Sequence, residues 1–134
     1  MDLAKLDMTE HANNSATLEV LHPITGEFLT DNADNVVTID LLGSDSTKMR
    51  NAMSARARKQ LAQKKPNQIT TIDDAERASA ELLAEVVTGW HGVEENGTVL
   101  ECTKDNVVYI LTKYSWLRLQ VDQFVSDRSN FFKA

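Results

Sequence analysis

The sequence predicts an α+β domain that is mainly helical and carries a two-stranded antiparallel β element near its N-terminus. Residues 17–21 and 36–42 are rich in Val, Ile, Leu and Thr, the composition of strands, and a turn containing Pro23 and Gly26 lies between them. After Gly43 the apolar residues recur every three or four positions, which is the period of amphipathic helices. A two-stranded ribbon is marginal in water, so we expect it to pack on the helices or on another copy.

We expect residues 1–15 to form a flexible tail and residues 16–134 to form a single domain. The first 15 residues are polar and show no sustained apolar period. The remaining length is enough to bury a hydrophobic core. No segment approaches the ~18 apolar residues of a membrane span, and the N-terminus lacks the pattern of a secretory signal. We therefore expect a cytoplasmic protein that does not contact membranes.

Three apolar stripes predict the helices and the core. The first helix follows an N-cap at Ser44 or Asp45 and ends by Pro66; the second begins with capping spacing between Asp73 and Glu76 and ends at Gly89. A last helical region, capped by Thr103, is predicted to break within residues 113–115. The predicted core joins the stripes Met49/Met53/Leu61, Leu82/Leu83/Val86 and Leu117/Val121/Phe124.

The sequence shows no pattern typical of an active site. His11, His22 and His91 lack helical spacing to a second metal ligand, and Cys102 has neither a nearby histidine nor a second cysteine. Glycine-rich phosphate loops and nucleophile motifs are absent from the sequence. We therefore expect a protein that is not an enzyme and that has no catalytic residues, cofactor or metal.

Charge is the most informative feature. Seven of the 14 basic residues, but only one of the 20 acids, lie between Ser44 and Lys65, in a chain of net charge -6. Such a basic helix can contact an acidic partner surface. Its alternative interpretation is a solvated helix face, and the methionines and tryptophans are core candidates first and partner-binding candidates second. The predicted partner-binding residues are Lys48, Met49, Met53, Arg56, Arg58, Lys59, Trp90 and Trp116.

The order of several short motifs resembles a known family. These motifs are His22-Pro-Ile-Thr-Gly-Glu27, Leu41-Leu-Gly-Ser-Asp-Ser46, Thr88-Gly-Trp-His-Gly-Val93, Gln120-Val-Asp-Gln-Phe124 and Asp127-Arg-Ser-Asn-Phe131. Over residues 16–132 the chain resembles the tail assembly chaperones of long-tailed bacteriophages and prophages. One departure is Lys113-Tyr114-Ser115, where the resemblance leads us to expect a break that contains proline.

The resemblance implies a chaperone that binds the tape measure protein, keeps it soluble and helps to recruit tail tube protein. It also implies self-association, a place in the host cell cytoplasm and absence from the mature virion. A longer, frameshifted form is a further expectation, and Asn130-Phe131-Phe132 can be encoded by a slippery run of uridines. Because exposed aromatic side chains promote association, we also expect Phe131 or Phe132 to pack on the domain or on a neighbouring copy.

Two alternatives stay open from the sequence. The chain could be a structural component of the virion tail or connector, in which the strand pair joins a ring. It could also be a small regulator that binds nucleic acid through the basic helix. We expect no nucleic-acid partner, because the basic residues are not interleaved with aromatic residues and the whole chain is acidic.

Overall fold

The computed structural model describes residues 1–62 and 71–132. The α+β class predicted from the sequence is confirmed, since the described residues form helices that pack against a small antiparallel sheet. The helices are α1 (Met8–Ala12), α2 (Thr47–Ala62), α3 (Ile72–Ala84), α4 (Lys104–Lys113) and α5 (Ser115–Ser126), with 3-10 turns at Leu3–Leu6 and Arg128–Asn130. The strands are β1 (Ala16–Glu19), β2 (Thr38–Leu41), β3 (Val87–His91), β4 (Glu94–Glu95) and β5 (Thr98–Val99).

The main sheet adds a third strand to the predicted pair. Its order is β1-β2-β3, and both pairings are antiparallel, with Ile39 opposite Leu18 on one side and Trp90 on the other. The prediction that Gly89 ends a helix is wrong, because Gly89 lies in β3 opposite Asp40. The helix ends earlier, because the chain turns into an extended strand that pairs with β2 in the sheet. The ribbon therefore gains both a neighbouring strand and a helical layer.

The core lies between this sheet and helices α3, α4 and α5. Its buried side chains include Val20, Ile39, Leu41, Met49, Leu83, Val86, Val107, Ile110, Leu111, Leu117, Val121 and Val125. Two members of the predicted core are placed wrongly by the sequence: Met53 is 54% exposed and Leu61 is 78% exposed. Leu82 and Phe124 are half-buried and pack against the core from its margin. The periodic pattern identifies an apolar helix face, but only the first turn of α2 reaches the core.

The N-terminal segment contains local structure where we expected a flexible tail. Residues Leu3–Leu6 and Met8–Ala12 are helical, and Ala12 is buried. The Gly43 amide donates a hydrogen bond to the Ala12 carbonyl at 2.9 Å. The end of this segment therefore packs on the domain. It does so through a contact between residues far apart in the sequence, which the composition of residues 1–15 cannot predict.

The break between α4 and α5 falls where the sequence predicts it, although it contains no proline. Tyr114 leaves helical geometry, and its hydroxyl donates to the Glu95 carboxylate at 2.6 Å. Lys113 and Tyr109 donate to the same carboxylate at 3.0 and 2.9 Å. Arg118 donates to the Leu111 carbonyl at 3.0 Å and so occupies an acceptor at the end of α4. Side-chain hydrogen bonds thus take the role expected of a proline.

Threonine hydroxyls cap the N-termini of both α3 and α4. Thr103 caps α4 as predicted, and its hydroxyl accepts from the Asn106 amide. Thr71 rather than Asp73 caps α3, with its hydroxyl 3.1 Å from the Asp74 amide. The capping-box prediction for Asp73 is therefore wrong, and the acids of this turn instead complement the helix dipole.

We predict that Leu111→Ala lowers the free energy of unfolding by about 2–5 kcal/mol, because Leu111 is only 1% exposed and leaves a cavity. Leu61→Ala is the matched control, since it makes the same change in a helix at a side chain that is 78% exposed, and it should shift stability by about 0.5 kcal/mol or less. Denaturant titration measures both. Equal losses in the two variants would contradict the core assignment.

We also predict acid sensitivity from the Glu95 cluster. The hydrogen bonds from Tyr114, Lys113 and Tyr109 lower the pKa of Glu95 from its ordinary 4.5 to about 2. A carboxylate with a lowered pKa contributes stability that is present above about pH 4.5 and is lost as the pH falls toward 2. Glu95→Gln should therefore flatten the pH dependence of thermal stability in this window.

The control for this experiment is Glu94→Gln, one residue away on the exposed side of β4. Among the described residues, the Glu94 side chain makes no hydrogen bond, so this variant should keep the acid-dependent loss of stability of the unchanged protein. A pH profile of Glu95→Gln that matches that of Glu94→Gln would show that the cluster does not stabilise the fold.

Candidate partner-binding surface

Helix α2 is anchored at its first turn by a buried hydroxyl. The Ser46 side chain is fully buried and accepts a hydrogen bond from the Met49 amide at 3.2 Å. This makes Ser46 the cap, so the predicted caps Ser44 and Asp45 are wrong. Asp45 instead accepts two hydrogen bonds from Arg128, at 2.6 and 3.1 Å. The start of α2 is therefore tied to the last turn of the described chain.

A second set of contacts comes from the N-terminal segment. The Asn13 side chain accepts from the Thr47 amide at 2.9 Å and donates to the Thr47 hydroxyl at 3.3 Å. The expectation for the C-terminal aromatics is confirmed, since Phe131 is 2% exposed and packs edge-on against Phe124. Residues near both ends of the described chain thus contact the segment that joins β2 to α2. These contacts hold the first turn of α2 in place.

After its first turns, the rest of α2 is exposed to solvent. Every side chain from Met53 to Ala62 is solvent-exposed. Alanine, arginine, lysine and glutamine dominate this stretch, and they are among the best helix formers. A helix of this length without packing is still marginal in water. The arrangement is typical of a helix that gains packing from a partner. The predicted end of this helix at Pro66 lies outside the described residues.

Within the described residues, the five cations of α2 and Lys5 form no salt bridge, whereas every other lysine and arginine does. Within residues 1–62 and 71–132, Arg77, Lys104, Lys113, Arg118 and Arg128 each lie within salt-bridge distance of an acid. In the same part of the chain no salt bridge involves the five cations of α2, which are Lys48, Arg50, Arg56, Arg58 and Lys59. The helix itself contains no acid. Its positive charge is therefore available to a partner.

An apolar groove of about 620 Å³ runs beside this helix. Its walls are α2 and α5, and α3 forms its floor. The lining residues are Ser44, Met49, Met53, Ser79, Leu82, Leu83, Ser115, Trp116, Arg118, Leu119, Asp122, Val125 and Ser126. The structure thus brings together three of the predicted partner-binding residues, namely Met49, Met53 and Trp116.

The remaining predicted residues divide into two groups. Lys48, Arg56, Arg58 and Lys59 are exposed on α2, outside the groove lining. Trp90 lies apart, in β3, where its indole Nε1 donates to the Leu100 carbonyl at 2.9 Å and its ring packs against the core. The structure therefore gives Trp90 a packing role and does not bring it to the groove.

Sequence reasoning missed Leu119, which lines the groove and is 57% exposed. Its neighbours Leu117 and Val121 carry the buried period of α5, so Leu119 falls on the opposite face. An apolar residue that departs from the buried period was the available signal. The sequence alone does not show that Leu119 belongs to a binding surface, because the second wall of the groove is Met53 on another helix.

Metal-binding, membrane-spanning and thiol chemistry were the other possibilities for the described residues. Across the described residues, no group of three or more His, Cys, Asp or Glu side chains is placed to hold a metal ion. No helix in that part of the chain has the length and apolar composition needed to cross a bilayer. Burial, and then the charge of Asp40, raise the pKa of the Cys102 thiol, which disfavours the reactive thiolate.

Residues 44–134 match the family model described as YdaY prophage protein. The match covers more than half of the chain. The chain belongs to the YdaY prophage protein family. No curated protein and no solved structure matches it. The phage or prophage origin expected from the sequence is therefore confirmed.

The YdaY match contains the candidate surface in full. It begins at Ser44, at one end of the groove, and it includes α2, α3, α4 and α5. Strands β1 and β2 precede it. The part of the chain shared with this prophage family is thus the part that builds the basic helix and the groove.

We predict that Gly43→Ala loosens the anchor of α2. An added Cβ would lie 2.9 Å from the Ala12 Cβ and 3.1 Å from the Phe131 ring, so the packing must shift at a cost of about 1–3 kcal/mol. Gly89→Ala is the control, because its Cβ would meet only Asp40, at 3.6 Å, and a strand favours alanine over glycine. Thermal denaturation of both variants tests this, and a neutral Gly43→Ala would contradict the close packing.

Proposed function

We propose that this YdaY-family prophage protein is a tail assembly chaperone. It binds the tape measure protein, keeps that long chain soluble and helps to recruit tail tube protein. The observation that carries the proposal is α2, a helix with five cations and no acid that stands exposed beside an apolar groove. In this proposal the protein is not an enzyme and uses neither a cofactor nor a metal.

The physical basis is the chemistry of the client. A tape measure protein is a long helical chain, and before assembly its apolar stripe is exposed to water, where it promotes aggregation. A groove that contains methionines adapts to different apolar side chains, because methionine is flexible and polarisable. Exposed cations beside the groove attract acidic stretches and speed their capture. Cover of this kind is temporary, as a chaperone requires.

The proposal includes a place and a time of action. The protein acts in the host cell cytoplasm, without membrane contact, and is absent from the mature virion. Self-association is part of the proposal, since several copies must cover one long client. Nucleic acid is not a partner in this proposal, and the cations of α2 serve a protein client instead.

We predict that the triple charge reversal R56E/R58E/K59E weakens capture of the tape measure protein about tenfold at low salt, where charge is least screened. The three side chains are exposed, so the fold should survive the change. The measurement is the amount of soluble tape measure protein that co-purifies after co-expression. The matched control is R56K/R58K/K59R, which keeps the charge at each position and should capture the client as well as the unchanged protein.

Three results would contradict this function. Equal capture by the charge-reversed variant would return α2 to the role of a solvated helix. Detection of the chain in purified mature particles would favour a structural component of the tail or connector. Salt-dependent binding of DNA or RNA that is lost in the same variant would favour a nucleic-acid-binding regulator.

A further inference from the structure

We infer that the groove between α2, α3 and α5 binds one amphipathic helix in a set orientation, with an acidic edge against α2 and a basic edge against Asp122 on α5. This inference rests on the surface used by the proposed function, but it does not depend on the identity of the client. It specifies the chemistry of the segment that the groove takes.

The apolar lining has the spacing of two helix faces. Met49 and Met53 are four residues apart on α2, and Trp116 and Leu119 are three residues apart on α5, so each pair lies on one side of its helix. Leu82 lies between the two pairs on α3. Such a trough, with apolar walls and floor, suits the apolar stripe of a third helix.

The two rims of the groove differ in charge. The α2 side carries cations that form no salt bridge within the described residues, such as Arg56 and Lys59. The α5 side carries Asp122, which is exposed and lines the groove. A helix that lies between rims of opposite sign is most stable when its own edges carry the opposite charges.

Arg118 also lines the groove on α5, but its side chain is only 16% exposed, whereas Asp122 is solvent-exposed. Its guanidinium donates to the carbonyls of Leu111 and Thr112 at 3.0 and 3.4 Å. A second nitrogen of the same group lies 3.7 Å from the Glu76 carboxylate. These contacts hold Arg118 against the end of α4. The Glu76 carboxylate offsets the charge of Arg118, and Asp122 therefore gives the α5 rim its exposed negative charge.

The apolar floor distinguishes a protein helix from nucleic acid. Phosphates would contact the α2 cations but gain nothing from Leu119, which is 57% exposed in the groove. A helix with an apolar stripe would bury Leu119 together with Met53. Substitution of Leu119 therefore separates the two kinds of partner.

The test uses three labelled synthetic peptides of about 20 residues, long enough to form a helix on binding. All share one leucine stripe; the first has one glutamate edge and one lysine edge, the second has two glutamate edges, and the third has two lysine edges. Fluorescence anisotropy with the full chain at low salt should rank them in that order, with the third about tenfold weaker than the first.

Two variants make the ranking specific. Asp122→Lys should shift the preference from the mixed peptide to the peptide with two glutamate edges. Leu119→Glu should weaken the first and second peptides about tenfold, because it places a charge in the apolar contact. The control is Leu61→Glu, at a residue that is 78% exposed on α2 and outside the groove lining. This variant should change the affinity for the first peptide by no more than about twofold.

The outcomes separate this inference from the proposed function. If the mixed peptide binds as ranked but the tape measure protein is not captured, the groove chemistry stands and the chaperone role fails. If the tape measure protein is captured but the three peptides bind equally, or Leu119→Glu has no effect, the inference is overturned. It is also overturned if Leu119→Glu changes the oligomeric state in sedimentation, because the groove then belongs to a second copy.

Discussion

The close packing around Gly43 is the constraint on which the rest of this surface depends. A Cβ added at Gly43 would meet both the Ala12 Cβ and the Phe131 ring, so this position has no room for a larger residue. Hydrogen bonds to Thr47 and Asp45 reinforce the same loop from both ends of the described chain. Because this loop leads directly into α2, its rigidity sets the direction in which the helix leaves the domain.

This anchoring explains how a helix can be fixed and yet remain almost unpacked. Met49 inserts into the core near the anchor, whereas Met53 and the residues after it face water. Helix propensity supports the exposed part, and the absence of acids leaves its charge unpaired within residues 1–62 and 71–132. A partner would therefore meet a surface that is already positioned, which lowers the entropy cost of binding.

The opposite wall of the groove is positioned by a different set of contacts. Glu95 accepts hydrogen bonds from Tyr109, Lys113 and Tyr114, and these hold the break between α4 and α5. The break turns α5 so that Trp116 and Leu119 face the same groove as Met53. The match to the YdaY prophage family includes both walls of this groove. The proposed binding of an amphipathic helix in the groove does not depend on that match.

The sequence by itself determined the features that depend on near neighbours: the strand pair, the break near Tyr114 and the concentration of positive charge in one helix. It identified Met49, Met53 and Trp116 but assigned Trp90 to the same role and overlooked Leu119. Only the tertiary structure decided these cases, because burial and proximity depend on residues far apart in the chain. Met49 and Met53 share one local pattern and both line the groove, yet Met49 is buried in the core at 4% exposure and Met53 is 54% exposed.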